Sequence, residues 1–395
     1  MLGSIMPRCS KTAWQGREAY ALENDLIRLV LLVSGGHVAA FQFHKAAGRP
    51  EINPLWTPPW KSIDHDRYNE KRHQAVYGPA ATGKLLCGIA GHNICLDYFG
   101  PPSDEEAQHG LAIHGEAPNS RWQVEECGAD GRESFLRASV GLPVAGLRFE
   151  REIRLRQGEP VAYFRETVTN ERNADHFFHW TQHVTLGPPF LNLKESRVAV
   201  SATRGRTFPH GYEGRELLKS SRDFRWPLAP GAAGKTVDLT LPFQRPGLGF
   251  LATALMNPRR EWQFIAAINR RYGLLVGYYF ARADFPWTAI WEEDKSRPDA
   301  PWRNRCQARG LEFGSTPFPL LRREAFSNGP LFGTPHFSLV PARGQKTVRY
   351  MSFLASVPAD FGNVEDVRVS KGAIRIKGSK RGASQTLAAS CAPEL

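Results

Sequence analysis

An all-β protein, a large and mostly antiparallel sandwich or barrel, is predicted from three features of the chain. Apolar and polar residues alternate with period two in one segment after another. Long apolar stripes of period 3.6 are hard to find, and 29 Pro and 36 Gly punctuate the 395 residues at short intervals. Many short strands joined by turns make one large β domain rather than βαβ units. Taken in order, "DLIRLVLLVSGGHVAAFQFH" reads as two strands broken at Gly35 and Gly36. "RFEREIRLRQ" sets Phe149, Arg151, Ile153 and Leu155 against charged neighbours, and "VAYFRETVTN" follows the turn Gln157-Gly158-Glu159-Pro160. "GLLVGYYFARADFPWTAIWEE" is a pair of aromatic-rich strands around Asp284. Residues 100–108 and 228–236 read as polar loops. The domain is expected over 20–375, with an N-terminal extension at 1–19 and a polar, frayed tail at 376–395.

Composition narrows the function classes. Lys and Arg outnumber Asp and Glu by 51 to 39, but the basic residues are scattered, with the densest cluster, "SKGAIRIKGSKRG", at 370–382. No focused basic stripe or recognisable module accompanies the charge of +12, so nucleic acid is not an expected partner. No apolar run approaches the roughly 20 residues of a membrane span, and the first 20 residues lack the apolar centre of a secretory signal. Six cysteines spread over the chain make no disulfide framework, which points to buried free thiols in a reducing cytoplasm.

The stretch "HFFHWTQHVTLGPPFL", 176–191, holds three histidines in apolar company. As a strand it puts Phe178, Trp180, Gln182, Val184 and Leu186 on one face, suited to a core. Phe177, His179, Thr181, His183 and Thr185 occupy the other, which is polar without charge and suits the floor of a polar-ligand cleft. The four-residue spacing of His179 and His183 fits a zinc helix, but Trp-Thr-Gln between them lacks the glutamate of H-E-x-x-H, and Thr and Val disfavour helix. No metal is expected there. "GPAATGKL", 78–85, resembles a P-loop but has Leu85 where a magnesium-binding Ser or Thr belongs. Cys87 and Cys95 near His109 and His114 fit no zinc spacing.

Two more segments are polar where a core strand would be apolar. "HGLAIHGEAPNSRW", 109–122, offers His109, His114, Glu116 and Arg121 beside glycines that permit tight turns. In "CQARGLEFG", 306–314, Glu312 shares its face with Cys306, Ala308, Gly310 and Gly314, which leaves room in front of the carboxylate. Phe285, Trp287 and Trp291 offer flat surfaces for stacking on a sugar, or for a core. A histidine and a glutamate facing one cleft form an acid/base pair when burial tunes them. The simplest reaction that needs only this pair is ring opening of a cyclic hemiacetal, with no cofactor.

These segments, in this order, resemble the aldose 1-epimerase (galactose mutarotase-like) superfamily, nearest its hexose-6-phosphate mutarotase-like branch. "LENDLIRLVLLVSGGHVAAFQF" is similar to the family's opening strands and "GIAGHNICLDYFG" to its Gly-Gly-Ile-Pro…Phe-Gly segment. "HGLAIHGEAPNSRW" is similar to its His-Gly-Phe-Ala-Arg…Trp loop. "TQHVTLGPPFL" and "ARGLEFG" resemble the strands that bear its catalytic histidine and glutamate. The resemblance covers about residues 20–370 and implies a β-supersandwich with an open sugar cleft. By it, His183 protonates the ring oxygen, Glu312 takes the anomeric proton and His109 hydrogen-bonds the sugar. His114, His179, Arg121 and Trp287 complete the expected site. A small-molecule carbohydrate is the implied partner, for a cytoplasmic monomer or homodimer with no membrane or nucleic-acid partner. The branch's two cations are replaced, by Ile89-Ala90 and by Ile113 or His114, which argues against a sugar phosphate. The segment "NPLWTPPWKSIDHDRY", 53–68, has no counterpart in small mutarotases, and Trp56, Trp60 and His65 are expected to line the cleft for a different sugar or a larger glycan. The alternatives are a non-catalytic sugar-binding protein and an oligosaccharide lyase or hydrolase, the last needing a second carboxylate such as Glu292 or Glu293.

Overall fold

The computed structural model of the protein describes residues 5–45, 51–370 and 372–390, so the first four residues of the expected extension and the last five of the expected tail lie outside it. The chain begins in a fourteen-stranded sheet with β1 (Arg8–Trp14), β2 (Arg17–Glu23), β3 (Ile27–Leu32), β4 (Val38–Phe43) and β5 (His92–Asp97). Residues 44–91, between β4 and β5, carry α1 (Glu70–Tyr77) and α2 (Ala80–Leu86), and α3 (Asp104–Gln108) follows β5. The chain then crosses to an eight-stranded sheet and runs as a meander through β6 (Gln123–Ala129), β7 (Glu133–Leu142), β8 (Leu147–Arg156) and β9 (Val161–Asn170). It returns to the first sheet as β10 (His176–Leu186) and touches the second as β11 (Ser196–Val200). The first sheet continues with β12 (Ala202–Thr207), β13 (Asp223–Arg225), β14 (Leu228–Pro230), β15 (Thr236–Asp238) and β16 (Leu248–Met256). After β17 (Trp262–Asn269) and β18 (Leu274–Ala281) in the second sheet come β19 (Trp287–Asp294) and β20 (Gln307–Gly314) in the first. Beyond α4 (Arg322–Ser327), β21 (Ser338–Val340) pairs with β10 and β22 (Gln345–Ser356) joins the second sheet. A third sheet holds β23 (Val364–Ser370), β24 (Ala373–Gly378) and β25 (Ser384–Ala388).

The alternating pattern is satisfied by layering. The inward faces of the two large sheets share one apolar cluster, in which Trp180, Phe178 and Leu186 of β10 meet Phe149, Phe164 and Tyr350 of the second sheet. The outer face of the second sheet, with Tyr163, Phe264 and Phe353, is covered by Val367, Ile374, Ile376 and Leu387 of the third. This is the all-β supersandwich the sequence predicts, but its edges differ from expectation. The boundary expected at residues 19 and 20 falls inside β2, and that at 375 and 376 falls inside β24. The extension is held by β1–β2 pairing, and the tail buries Ile376 and Leu387. The polar segment 100–108 is also more ordered than a loop. Ser103 accepts a hydrogen bond from Glu106 N, and Glu106 accepts one from Ser103 N, a capping box that starts α3. Cys9 and Cys127 form a disulfide that ties β1 to β6, with Cα atoms 5.6 Å apart, whereas Cys87, Cys95 and Cys306 are buried free thiols. The bridge removes the argument from cysteine spacing that led to a reducing cytoplasm. No helix among the described residues is long and apolar enough to cross a membrane.

A polar knot crosses the apolar core. Arg151 of β8, fully buried, donates to Glu166 of β9 at 2.7 Å and to the carbonyl of Gly36 at 2.8 Å. Gln182 of β10 donates to the other oxygen of Glu166 at 2.5 Å, and the Tyr350 hydroxyl donates to Glu166 at 2.7 Å. The two sheets are thereby joined through charges that have no water to fall back on. Removing one partner strands the other, so Glu166→Ala should lower unfolding free energy by about 3–5 kcal/mol, read from the denaturation midpoint. Replacing both with apolar residues of similar volume, Arg151→Met with Glu166→Leu, should cost clearly less than the single change.

Candidate active site

The site lies on the outer face of the first sheet, where β10 runs between β5 and β20. Because Gln182 and Trp180 point into the core, alternation turns Thr181, His183 and Thr185 outward. Antiparallel register then sets His183 opposite Glu312 on β20 and opposite Asn93 on β5. His183 Nε2 lies 3.3 Å from Glu312 Oε1, with both side chains almost wholly buried. Glycine makes the space. A Cβ on Gly310 would stand 2.0 Å from Glu312 Oε1, and one on Gly314 would stand 2.4 Å from Thr181 Oγ1.

Electrostatics at the pair are dominated by burial. Loss of water pushes the Glu312 carboxyl well above its ordinary range, and pulls the His183 imidazole well below its own, with the neighbouring His114 adding to the effect. Both groups are therefore driven towards the uncharged form. His183 Nδ1 meets the Thr185 hydroxyl at 3.1 Å. A hydroxyl can donate or accept, so it accommodates either protonation state of Nε2. His114 stands with its ring 4.9 Å from that of His183 at a backbone φ of +70°. Its Nδ1 donates to the Phe99 carbonyl at 2.6 Å, and burial brings its pKa to about 4, which leaves Nε2 as a neutral acceptor. Both amide atoms of Asn93 and the Thr181 hydroxyl are buried without a hydrogen-bond partner among the described residues. Glu312 Oε1 is likewise buried without a hydrogen-bond partner among the described residues.

His183, Glu312 and His114 line a cavity of about 530 Å³. Its walls are apolar and aromatic, with Ile89, Phe99, Phe208 and Trp291, and its rim carries Arg297 and His210. Trp291 donates through Nε1 to Tyr212 Oη at 2.8 Å, and Tyr212 donates to Glu293 at 3.0 Å. The Arg297 guanidinium sits 4.9 Å over Tyr212 and 5.0 Å from the Trp302 ring.

The other residues expected at the site lie elsewhere. His109 follows α3 on the surface and turns Nδ1 to the Glu105 carbonyl, because the capped helix carries it away from the cavity. Arg121 is half-exposed and paired with Glu18 of β2. His179 shares the outward face of β10 with His183, but it is fully buried, accepts from Phe99 N at 3.3 Å and packs against Phe326. Trp287 is wholly buried, donates to the Pro335 carbonyl and is covered by Leu331 and Phe318. Phe285 turns into the core against Phe313. Trp56 and Trp60 do not line the cavity. They stack behind Trp302, and His65 packs against His37 with its Nδ1 on Ser34. Glu292 faces the core and pairs with Arg309, while Glu293 accepts from Tyr212, from Ser296 and from Arg297 N. Neither is a free second carboxylate. Arg297 carries no sequence motif, and Asn93 lies inside "GIAGHNICLDYFG" with nothing local to single it out. Trp291 is the one of the three aromatic surfaces expected from the sequence that does line the cavity.

Comparisons with known proteins agree on the fold. No protein-family model matches the chain, and no curated protein is similar to it in sequence. Among solved structures, a Klebsiella pneumoniae protein provisionally described as an aldose 1-epimerase superposes with a TM-score of 0.62 at 14% identity, covering 87% of this chain and 81% of that one. A galactose mutarotase-like protein from Clostridium acetobutylicum gives 0.58 at 12%, covering 89% and 99%. A galactose mutarotase related enzyme from Lactobacillus acidophilus gives 0.51 at 12%, covering 86% and 97%. At these identities the likeness is one of architecture, and it places the chain's fold with the galactose mutarotase-like proteins.

Burial of Glu312 also makes a stability prediction. Its folded pKa is raised above the ordinary 4.5, so its contribution is complete below pH 4.5 and is lost as pH rises through the folded value. Glu312→Gln cannot ionise. Its melting temperature should match wild type near pH 4 and exceed it by a few degrees near pH 8. Equal melting temperatures at pH 8 would mean that Glu312 carries no burial penalty.

Proposed function

We propose, with the galactose mutarotase-like fold as premise, that the protein interconverts the anomers of an aldose by acid/base ring opening at His183 and Glu312. The observation that carries this reading is the opposed, buried His183–Glu312 pair at the floor of an aromatic-walled cavity. Proton passage across the 3.3 Å contact converts the uncharged pair into carboxylate and imidazolium. Sugar hydroxyls entering the cavity offset the cost by hydrogen-bonding the charged form. Glu312 then takes the proton of the C1 hydroxyl while His183 gives one to the ring oxygen. The C1–O5 bond breaks and the C1–O1 bond becomes a carbonyl. Rotation about C1–C2 and reversal of both transfers give the other anomer. No electron or group leaves the sugar, so the two residues suffice. His114 Nε2, held as an acceptor, suits a neighbouring hydroxyl.

The hydrolase alternative lacks support, because Glu292 and Glu293 are both engaged and the remaining acids of the cavity, Glu213 and Asp299, are exposed at its mouth.

Exchange spectroscopy by NMR on the α and β anomers of a panel of aldoses tests the reading. Wild type should accelerate exchange, and His183→Ala and Glu312→Gln should each lose about 10²- to 10⁴-fold. Binding without acceleration would favour the non-catalytic sugar-binding protein. Gly310→Ala should also cut turnover, by at least tenfold, while the protein stays folded. The new methyl group displaces the flexible end of Glu312 from His183 rather than any backbone. Unchanged turnover in that variant would count against the 3.3 Å contact as the working geometry.

A further inference from the structure

We infer that the substrate is the reducing-end residue of a disaccharide or longer glycan, rather than a free monosaccharide. This rests on the isomerase reading above and adds the size of the substrate and the path of its second residue.

The first support is topological. β4 and β5 are neighbours in the sheet and meet at their first residues, Val38 and His92, so the chain must double back from Phe43 to reach β5. Residues 44–91 make that connection, and their helical part is built as a wall. Tyr68 donates to the Gly78 carbonyl at 2.6 Å, Ala80 N donates to Glu70 at 2.8 Å, and Trp60 Nε1 donates to the Leu86 carbonyl at 2.8 Å. The facing wall is the long connection between β19 and β20. It is closed by Arg303 N on the Asp299 carbonyl and Asn304 N on the Arg297 carbonyl, at 2.9 and 2.7 Å.

The second support is the space between these walls. The cavity of about 530 Å³ lies well inside the ~300–1,000 Å³ range of sites that enclose drug-sized ligands, and one pyranose is far smaller than such a ligand. A second, shallow and open groove is lined by Lys71, Gln74 and Ala75 of α1. Gly78, Pro79, Asp299 and Ala300 line both spaces, so the groove continues the cavity outward.

The chemistry fixes the direction of entry. His183 and Glu312 are at the floor, so C1 and the ring oxygen must enter first. In a glycan of aldoses only the reducing end has a free C1 hydroxyl, and in a 1→4 glycan its linkage to the next residue leaves from C4, across the ring from C1 and towards the mouth. The surroundings change accordingly, from Trp291 and Phe99 around the inner ring to the exposed Lys71, Gln74 and Asp299 along the groove, where a second sugar's hydroxyls stay hydrated.

Anomer exchange measured with glucose and galactose against maltose, cellobiose and lactose decides the matter. At least one disaccharide should exceed its reducing-end monosaccharide in kcat/KM by tenfold or more, since contacts remote from C1 are used at the reacting centre. Ala75→Trp, which fills the groove, should reduce that ratio at least tenfold. Equal or better turnover of the monosaccharides would overturn the inference and leave the isomerase reading intact. If wild type exchanges none of these sugars, the isomerase reading fails. Calorimetric titration of Glu312→Gln then tests the glycan by itself, with tenfold tighter binding of a disaccharide supporting it and equal or weaker binding overturning it.

Discussion

Charges buried between the two large sheets hold the molecule in register. Arg151 and Glu166 belong to the second sheet, yet their hydrogen bonds reach Gln182 in the first and Gly36 in the turn between β3 and β4. An isolated ion in that core would be costly, so each member is stable only while the others are in place. Gln182 is therefore pinned inward at one position on β10. In a strand this fixes the neighbour as well, because a slip by one residue would turn every side chain to the opposite face. His183 faces out of the sandwich because Gln182 is tied within it.

On the outer face the same burial acts against stability. Burial disfavours the charged forms of Glu312 and His183, and Asn93 keeps an amide without partners among the described residues. Gly310 gives up side-chain packing to leave the Glu312 carboxylate free, and Gly314 does the same for Thr181. These are losses the apolar core must offset, and they are concentrated at one place, as expected where a site is built on a rigid scaffold. The walls come from long connections between adjacent strands, while His183 and Glu312 sit on the central strands of the sheet. The geometry of the pair and the size of the cleft can thus change independently.

Much of this was legible in the chain. The alternation over Leu147–Arg156, Val161–Asn170 and His176–Leu186 reports strands because one face of each is apolar and the other is not. The small residues around Glu312 signalled room before a carboxylate. The edges were harder to read. β1 is an edge strand with no buried face, so its side chains need not alternate. In "SKGAIRIKGSKRG" the net charge hides Ile374 and Ile376, whose alternation would have placed β24 under the second sheet.

Local pattern is set by each residue's own chemistry and that of its near neighbours, and this was enough for the strands and for the polar faces that carry His183 and Glu312, whereas the roles expected of that pair came from the family resemblance. Which histidines share a cavity is a different kind of fact. His109 and His114 are five positions apart beside similar glycines, yet a capped turn of helix leaves the first in solvent, and a left-handed backbone at the second sets it against His183. Trp287 and Trp291 face the same way from one strand, and the segment around Pro335 covers only the first. Exposure and distance depend on what other parts of the chain pack there, and that is determined by the register of strands far apart in sequence.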